Sequence, residues 1–200
     1  IGYNDGVAGG NTVSRALTGT GVAPATITIS DGATYNYGPV ATTATLDHTF
    51  TITNTGAIGA TSLTGTGLAA PFTFAGGTYP GGGTCTTTLA ASGTCTIIVT
   101  YAPSATGLQS DTIDITYHNG AAAGQTANRA VQGTGAAPAV LTISDGLTFN
   151  YGTVANGSST DKTFTITNTG GVPATSISGG GLAAPYSFKA GTFPGTGGTC

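Results

Sequence analysis

The chain has 200 residues, of which 6% are charged, and it contains no Glu, Met or Trp. An average soluble domain is roughly 25% charged; here four Lys and Arg and seven Asp leave a net charge of −3, too small and dispersed to steer nucleic acid, which takes clustered cations. No apolar run approaches the ~20 residues of a membrane-spanning helix, and helix formers are scarce.

In chain order, Ala25–Ser30 alternates, with Ile27 and Ile29 on one face. Leu46–Thr53 places Phe50 and Ile52 together and stops at Asn54-Thr55-Gly56. Thr94–Tyr101 is the most apolar run and ends at Ala102-Pro103. Gln109–Tyr117 aligns Ile113, Ile115 and Tyr117 before His118-Asn119-Gly120. A period of two marks half-buried strands, and several of them between Gly, Asn and Pro turns predict an all-β antiparallel sandwich. No segment reads as a helix of about ten residues or more.

The order repeats. APATITISDGATYNYG from Ala23 returns as APAVLTISDGLTFNYG from Ala137, 114 residues on. Phe50 returns as Phe164 and Pro71 as Pro185, and one insertion carries Cys85 onto Cys200. Tyr3 and Arg15 keep the same register with Tyr117 and Arg129. The expected organisation is therefore the tail of one repeat over 1–22, a whole repeat over 23–136 and the front of a third over 137–200. The period exceeds the 20–50 residues of a solenoid unit and suits an immunoglobulin-like sandwich of about 100. Gly133–Pro138 joins two units without a spacer, and proline biases such a joint towards extended backbone. A beaded rod is expected.

Cys85 and Cys95 stand ten residues apart around the turn Ala91-Ser92-Gly93. Two thiolates without further ligands make a poor metal site, and no nearby cation would activate a thiol. A disulfide is predicted, worth roughly 2.5–3 kcal/mol by chain entropy, and it implies an oxidising compartment. Cys200 would then pair with a cysteine beyond this segment.

The run Cys95–Pro103, followed by Gly107 and Ser110–Ile115, resembles the bacterial tandem repeats called choice-of-anchor D, relatives of the abnormal-spindle/Hydin type of immunoglobulin-like domain. Tyr37-Gly38 with Val40, Tyr151-Gly152 with Val154, and the turn Thr53–Gly56 resemble motifs of the same family. The resemblance implies a seven- or eight-stranded sandwich in large secreted or surface-anchored proteins, with no shared catalytic residues.

A residue vital to every unit should recur. His48 becomes Lys162 and His118 corresponds to Asn4, so neither supports a catalytic or metal site in each repeat. Asp31 and Asp145 precede Gly in a turn, and Asp47 and Asp161 stand at a strand entrance. Asp111 and Asp114 could ligate Ca²⁺, although solvated strand polarity explains them more simply. Asn156-Gly157-Ser158 fits a glycosylation sequon. Tyr35/Phe149, Tyr37/Tyr151, Phe72/Tyr186 and Phe74/Phe188 read as core. Tyr79 and Phe193, in Gly-rich loops before Pro80 and Pro194, are the candidate contact aromatics, facing a neighbouring domain or a sugar.

No catalytic, cofactor-binding or metal-ligating residue is expected, and no nucleic-acid partner. The leading expectation is a structural fibre, filament or stalk at a bacterial cell surface, partnered by neighbouring repeats. An adhesin whose repeats bind a host, prey or polysaccharide surface is the alternative. Thr-x-Thr runs such as Thr49/Thr51/Thr53 raise ice binding as a third class. Lys is absent from 23–136; this rules out a Lys–Asn crosslink there. It also removes a common guard of strand edges, so self-association is expected.

Overall fold

Strands form where the alternation is strongest. The computed structural model describes residues 1–7 and 9–200. β1 (Gly2–Tyr3) and β2 (Asn11–Thr12) make a short antiparallel pair. Nine strands follow: β3 (Ile27–Ile29), β4 (Thr34–Ala41), β5 (Leu46–Asn54), β6 (Ala60–Thr66), β7 (Phe72–Phe74), β8 (Thr88–Leu89), β9 (Thr94–Tyr101), β10 (Gly107–His118) and β11 (Gln125–Ala136). They form an immunoglobulin-like sandwich. One sheet has the order β3-β5-β9-β7 and the other β4-β11-β10-β6-β8. The strand count exceeds the seven or eight that the resemblance implied, partly because the two-residue β8 joins a sheet.

The core lies between the sheets. β9 contributes Cys95, Ile97, Val99 and Tyr101, beside Phe50 and Ile52 of β5 and Phe72 and Phe74 of β7. The opposite sheet supplies Tyr37, Leu63, Ile113, Ile115 and Val131. Phe50, Phe72, Ile97, Tyr101, Ile113 and Val131 are all 0% exposed. Burying each such side chain is worth about 1.5–3 kcal/mol. A one-residue slip of β5 would turn Phe50 and Ile52 out and their threonine neighbours in, so burial also fixes the register.

β11 runs through Gly133 and Gly135, which look like linker residues in the sequence. They are there because of close approach. A Cβ on Gly133 would stand 2.4 Å from the Tyr101 ring, and one on Gly135 would stand 1.9 Å from the Ala105 carbonyl oxygen. β11 pairs antiparallel with β10 and parallel with β4.

The edges bear on the expected self-association. β3 and β7 are three residues long and β8 two. The longer edge β4 is interrupted where its register with β11 shifts, around Gly38-Pro39. Short strands, prolines and irregularities are the usual guards of a sheet edge, so the absence of Lys does not leave these edges open.

Beyond β11 the chain passes directly to the second copy of the motifs. The Ala136 carbonyl accepts the Thr42 N–H at 2.8 Å, and the Ala137 carbonyl accepts the Gly171 N–H at 2.9 Å. Residues 137–200 hold β12 (Leu141–Ile143) paired antiparallel with β13 (Ile166–Asn168).

Candidate interaction sites

The chain changes sheets between β3 and β4, and Asp31 makes the corner with a left-handed backbone at φ 72°, a conformation that Asp tolerates better than most residues. The Ser30 hydroxyl donates to Asp31 Oδ2 at 2.5 Å and accepts the Thr51 N–H at 3.0 Å. His48 Nε2 lies 3.3 Å from the same carboxylate. Its ring stacks on Tyr35 with centroids 3.7 Å apart and meets Phe50 edge-on. Arg129 of β11 donates to the Ile29 carbonyl beneath the corner. The Ser30 hydrogen bond, with smaller help from His48 and Arg129, holds the Asp31 carboxyl below its ordinary value.

The second copy rebuilds this corner with another cation. Ser144 donates to Asp145 at 2.7 Å and accepts the Thr165 N–H at 3.0 Å. Lys162 replaces His48, 2.8 Å from Asp145 and 4.6 Å above the Phe149 ring. Acid, cation and aromatic thus recur together, although the cation changes its chemistry. An exact-match search for repeated residues passes over such a pair.

Asn54 is the buried polar hub, at 0% exposure. Its Oδ1 accepts the Thr26 and Gly56 N–H groups, and its Nδ2 donates to the Ile58, Leu89 and Ala90 carbonyls. The Asn54-Thr55-Gly56 turn was legible in the sequence, but its role in tying the approaches to β3 and β6 and the β8–β9 turn to β5 was not.

Cys85 and Cys95 are bonded, with Cα atoms 4.8 Å apart. The loop bearing Cys85 continues the ladder where β7 ends. The Pro80 carbonyl accepts the Ile98 N–H at 3.0 Å, and the Cys85 N–H donates to Thr96 at 3.1 Å. Cys200 is free and exposed. Tyr79 departs from the exposed contact aromatic expected of this loop. Its ring packs over Gly65 and edge-on to Phe74, with centroids 5.6 Å apart, and burial pushes its hydroxyl pKa up. Phe193 meets Phe188 and Gly179 in the same manner. A flat Gly65 is what admits the ring, a constraint that loop composition does not reveal.

Threonines cover the outside of the four-stranded sheet. Register places Thr28 beside Thr53 and Thr53 beside Thr94, and in the next row Thr51 beside Thr96. Thr49/Thr51/Thr53 therefore share a face with the threonines of β9, while Thr88 lies in the other sheet. Asp111 accepts the Ala69 and Thr112 N–H groups at 2.7 and 2.8 Å. Among the described residues no three His, Cys, Asp or Glu come together as a metal site, and no helix is long and apolar enough to cross a membrane.

No family model and no curated protein matches the chain. A PapD-like domain of human CEP192 is 16% identical over 64% of this chain and 98% of that one, with a TM-score of 0.44. The VesB protease of Vibrio cholerae is 19% identical over 56% of this chain and 32% of its own, with a TM-score of 0.40. The CARDB domain of a Pyrococcus furiosus protein, solved with di-metal ions, is 13% identical over 62% of this chain and all of that domain, with a TM-score of 0.34.

Proposed function

We propose that this chain is a non-catalytic spacer, a run of immunoglobulin-like sandwiches of the choice-of-anchor D type that sets reach and stiffness in an extracellular stalk or fibre. The observation that carries the reading is the handover at Ala136 and Ala137. The carbonyl of one is bonded within the first sandwich and the carbonyl of the next within the second copy, so no slack residue separates the units. The features shared by the two copies support the same reading, because the Ser-Asp corner and the Asn hub both serve architecture. The disulfide fits an oxidising, extracellular setting. The guarded edges favour single chains joined end to end over bundles held by edge pairing.

The test is the length of chains carrying increasing numbers of the 23–136 unit, measured by small-angle scattering and electron microscopy. A stiff spacer lengthens in proportion to the number of units. Growth as the square root of that number marks a flexible string and ends the reading. Binding of a single unit to cells or glycan arrays would favour the adhesin instead, with the threonine face as its natural contact surface.

A further inference from the structure

The turn after β10 brings together the parts of a reaction. Gly120 donates its backbone N–H to His118 Nδ1 at 2.9 Å. Between these residues Asn119 holds its side-chain Oδ1 against two backbone donors, Ala121 at 2.9 Å and Ala122 at 2.7 Å. The backbone of Asn119 is fixed as well: its N–H donates to Ala122 and its carbonyl accepts the Ala25 N–H, both at 3.0 Å. Gly120 has φ +90°, and a Cβ there would stand 2.0 Å from Ile58 Cδ1. The fold thus requires glycine after Asn119, and glycine leaves its nitrogen unhindered.

We propose that Asn119 is a self-modification site, losing its side-chain amide through a cyclic imide formed with Gly120. The Gly120 nitrogen attacks Asn119 Cγ while its proton passes to His118 Nδ1. Negative charge gathers on Oδ1, where the Ala121 and Ala122 N–H groups already point, the arrangement that stabilises an oxyanion in acyl transfer. The Cγ–Nδ2 bond then breaks. Nδ2 takes the proton back from His118 and leaves as ammonia, and the five-membered imide remains. Water opens either imide carbonyl, giving aspartate or isoaspartate, so the balance is one water consumed and one ammonia released. His118 is a general base and then a general acid, returned unchanged.

Residues 1–22 carry the matching turn in its product form. By the repeat register Asn4, Asp5 and Gly6 stand at the positions of His118, Asn119 and Gly120. Gly6 N–H donates to Asn4 Oδ1 at 2.9 Å and Val7 N–H to Asp5 Oδ1 at 2.9 Å. The turn therefore accepts an aspartate at this position with the counterparts of the Gly120 and Ala121 hydrogen bonds in place. The other Asn-Gly step, Asn156-Gly157, follows Ala155 and has no flanking imidazole. Conversion at Asn119 adds a negative charge, or an extra backbone methylene in the isoaspartyl form, where the turn holds Ala25 at the entrance of the sandwich.

The experiment incubates the purified chain at neutral pH. Peptide mapping by mass spectrometry follows Asn119 and Asn156, and electron-transfer fragmentation separates aspartyl from isoaspartyl products. Asn119 should convert faster in the folded chain than in denaturant, where only its sequence acts. His118→Asn, which copies the turn at Asn4, should slow it about a hundredfold or more, the lower end of what a positioned general base supplies, while Asn156 keeps its rate. Slower conversion in the folded chain than in denaturant would overturn the proposal. So would a His118→Asn rate equal to that of the unaltered chain. The folded-versus-denatured comparison uses no variant and stands even if His118→Asn misfolds.

Discussion

Residues 23–136 and 137–200 spell the same motifs but differ in what covers them. Phe50 is 0% exposed and Phe164 39%; Ile29 is 6% and Ile143 64%; Val40 is 8% and Val154 41%. The turns, by contrast, are built alike. Asn54 and Asn168 each donate at 2.8 Å to the carbonyl four residues on and accept the N–H two residues on at 3.0 Å. Around the apolar face of the first copy stand β9, beside β5 in one sheet, and β10 and β11 in the other; by the repeat register the counterparts of these three strands fall after residue 200. Hydrogen-bonded turns need only neighbours in sequence. Burial needs strands from 40 or more positions away. Comparing the two copies separates these contributions.

The largest test removes the same ring from both. Phe50→Ala should destabilise the 23–136 sandwich by about 3–5 kcal/mol through lost transfer energy and a cavity. Phe164→Ala should leave that unfolding transition within about 0.5 kcal/mol, as for a change away from its core. Urea denaturation followed by circular dichroism measures both. Equal losses would mean that exposure does not report packing here.

The hubs come next. Asn54→Ala strands two N–H groups and three carbonyls, of which the Gly56 N–H and the Leu89 carbonyl are buried, and these unmet groups at about 1–3 kcal/mol each set a loss of about 3 kcal/mol. Asn168 is exposed, so water replaces its bonds and Asn168→Ala should cost about 1 kcal/mol or less. Reduction of the disulfide follows, lowering the stability of 23–136 by roughly 2.5–3 kcal/mol. Cys200 lies outside 23–136 and contributes nothing to that change. Denaturation with and without reductant, with thiols counted by an alkylating label, checks the attribution.

Sequence reading located β9 from end to end and β5 and β10 to within two residues, because their alternation is strict and their apolar sets face one core. It passed over β6 and β11. In both, glycine stands where a ring or backbone from another strand comes close, as at Gly65 under Tyr79 and Gly133 under Tyr101. A glycine required by a distant neighbour looks locally like a glycine required by a turn. The cysteine pairing was legible from spacing and inventory. The inward placement of Tyr79 depends on Gly65, 14 positions earlier, and the edge guards depend on strand lengths, which propensity sets poorly.

The smallest expected effect lies at the two corners. Both Asp31 and Asp145 have carboxyl pKa values held below the ordinary one, but for different first reasons: the Ser30 hydrogen bond for Asp31 and the Lys162 hydrogen bond for Asp145. Lys162 approaches to 2.8 Å, whereas His48 stands at 3.3 Å and spends its ring on Tyr35. Removing the serine should therefore raise the pKa of Asp31 more than that of Asp145, and removing the cation should do the reverse. Carboxyl carbon chemical shifts followed through an acid titration in Ser30→Ala, Ser144→Ala, His48→Ala and Lys162→Met give the four shifts. The sign of the linked stability follows. A depressed carboxyl stabilises the folded chain above the unfolded value of about 3.9, and that stability is lost as pH falls through the lower folded value. Ser30→Ala should thus narrow the acid loss of the 23–136 sandwich, with little change near neutrality beyond the lost hydrogen bond. Both corners are open to solvent, so these shifts should shrink with added salt. If Ser30→Ala and His48→Ala move Asp31 equally, the serine is not the main support of the first corner, and the two copies hold their acids in the same way.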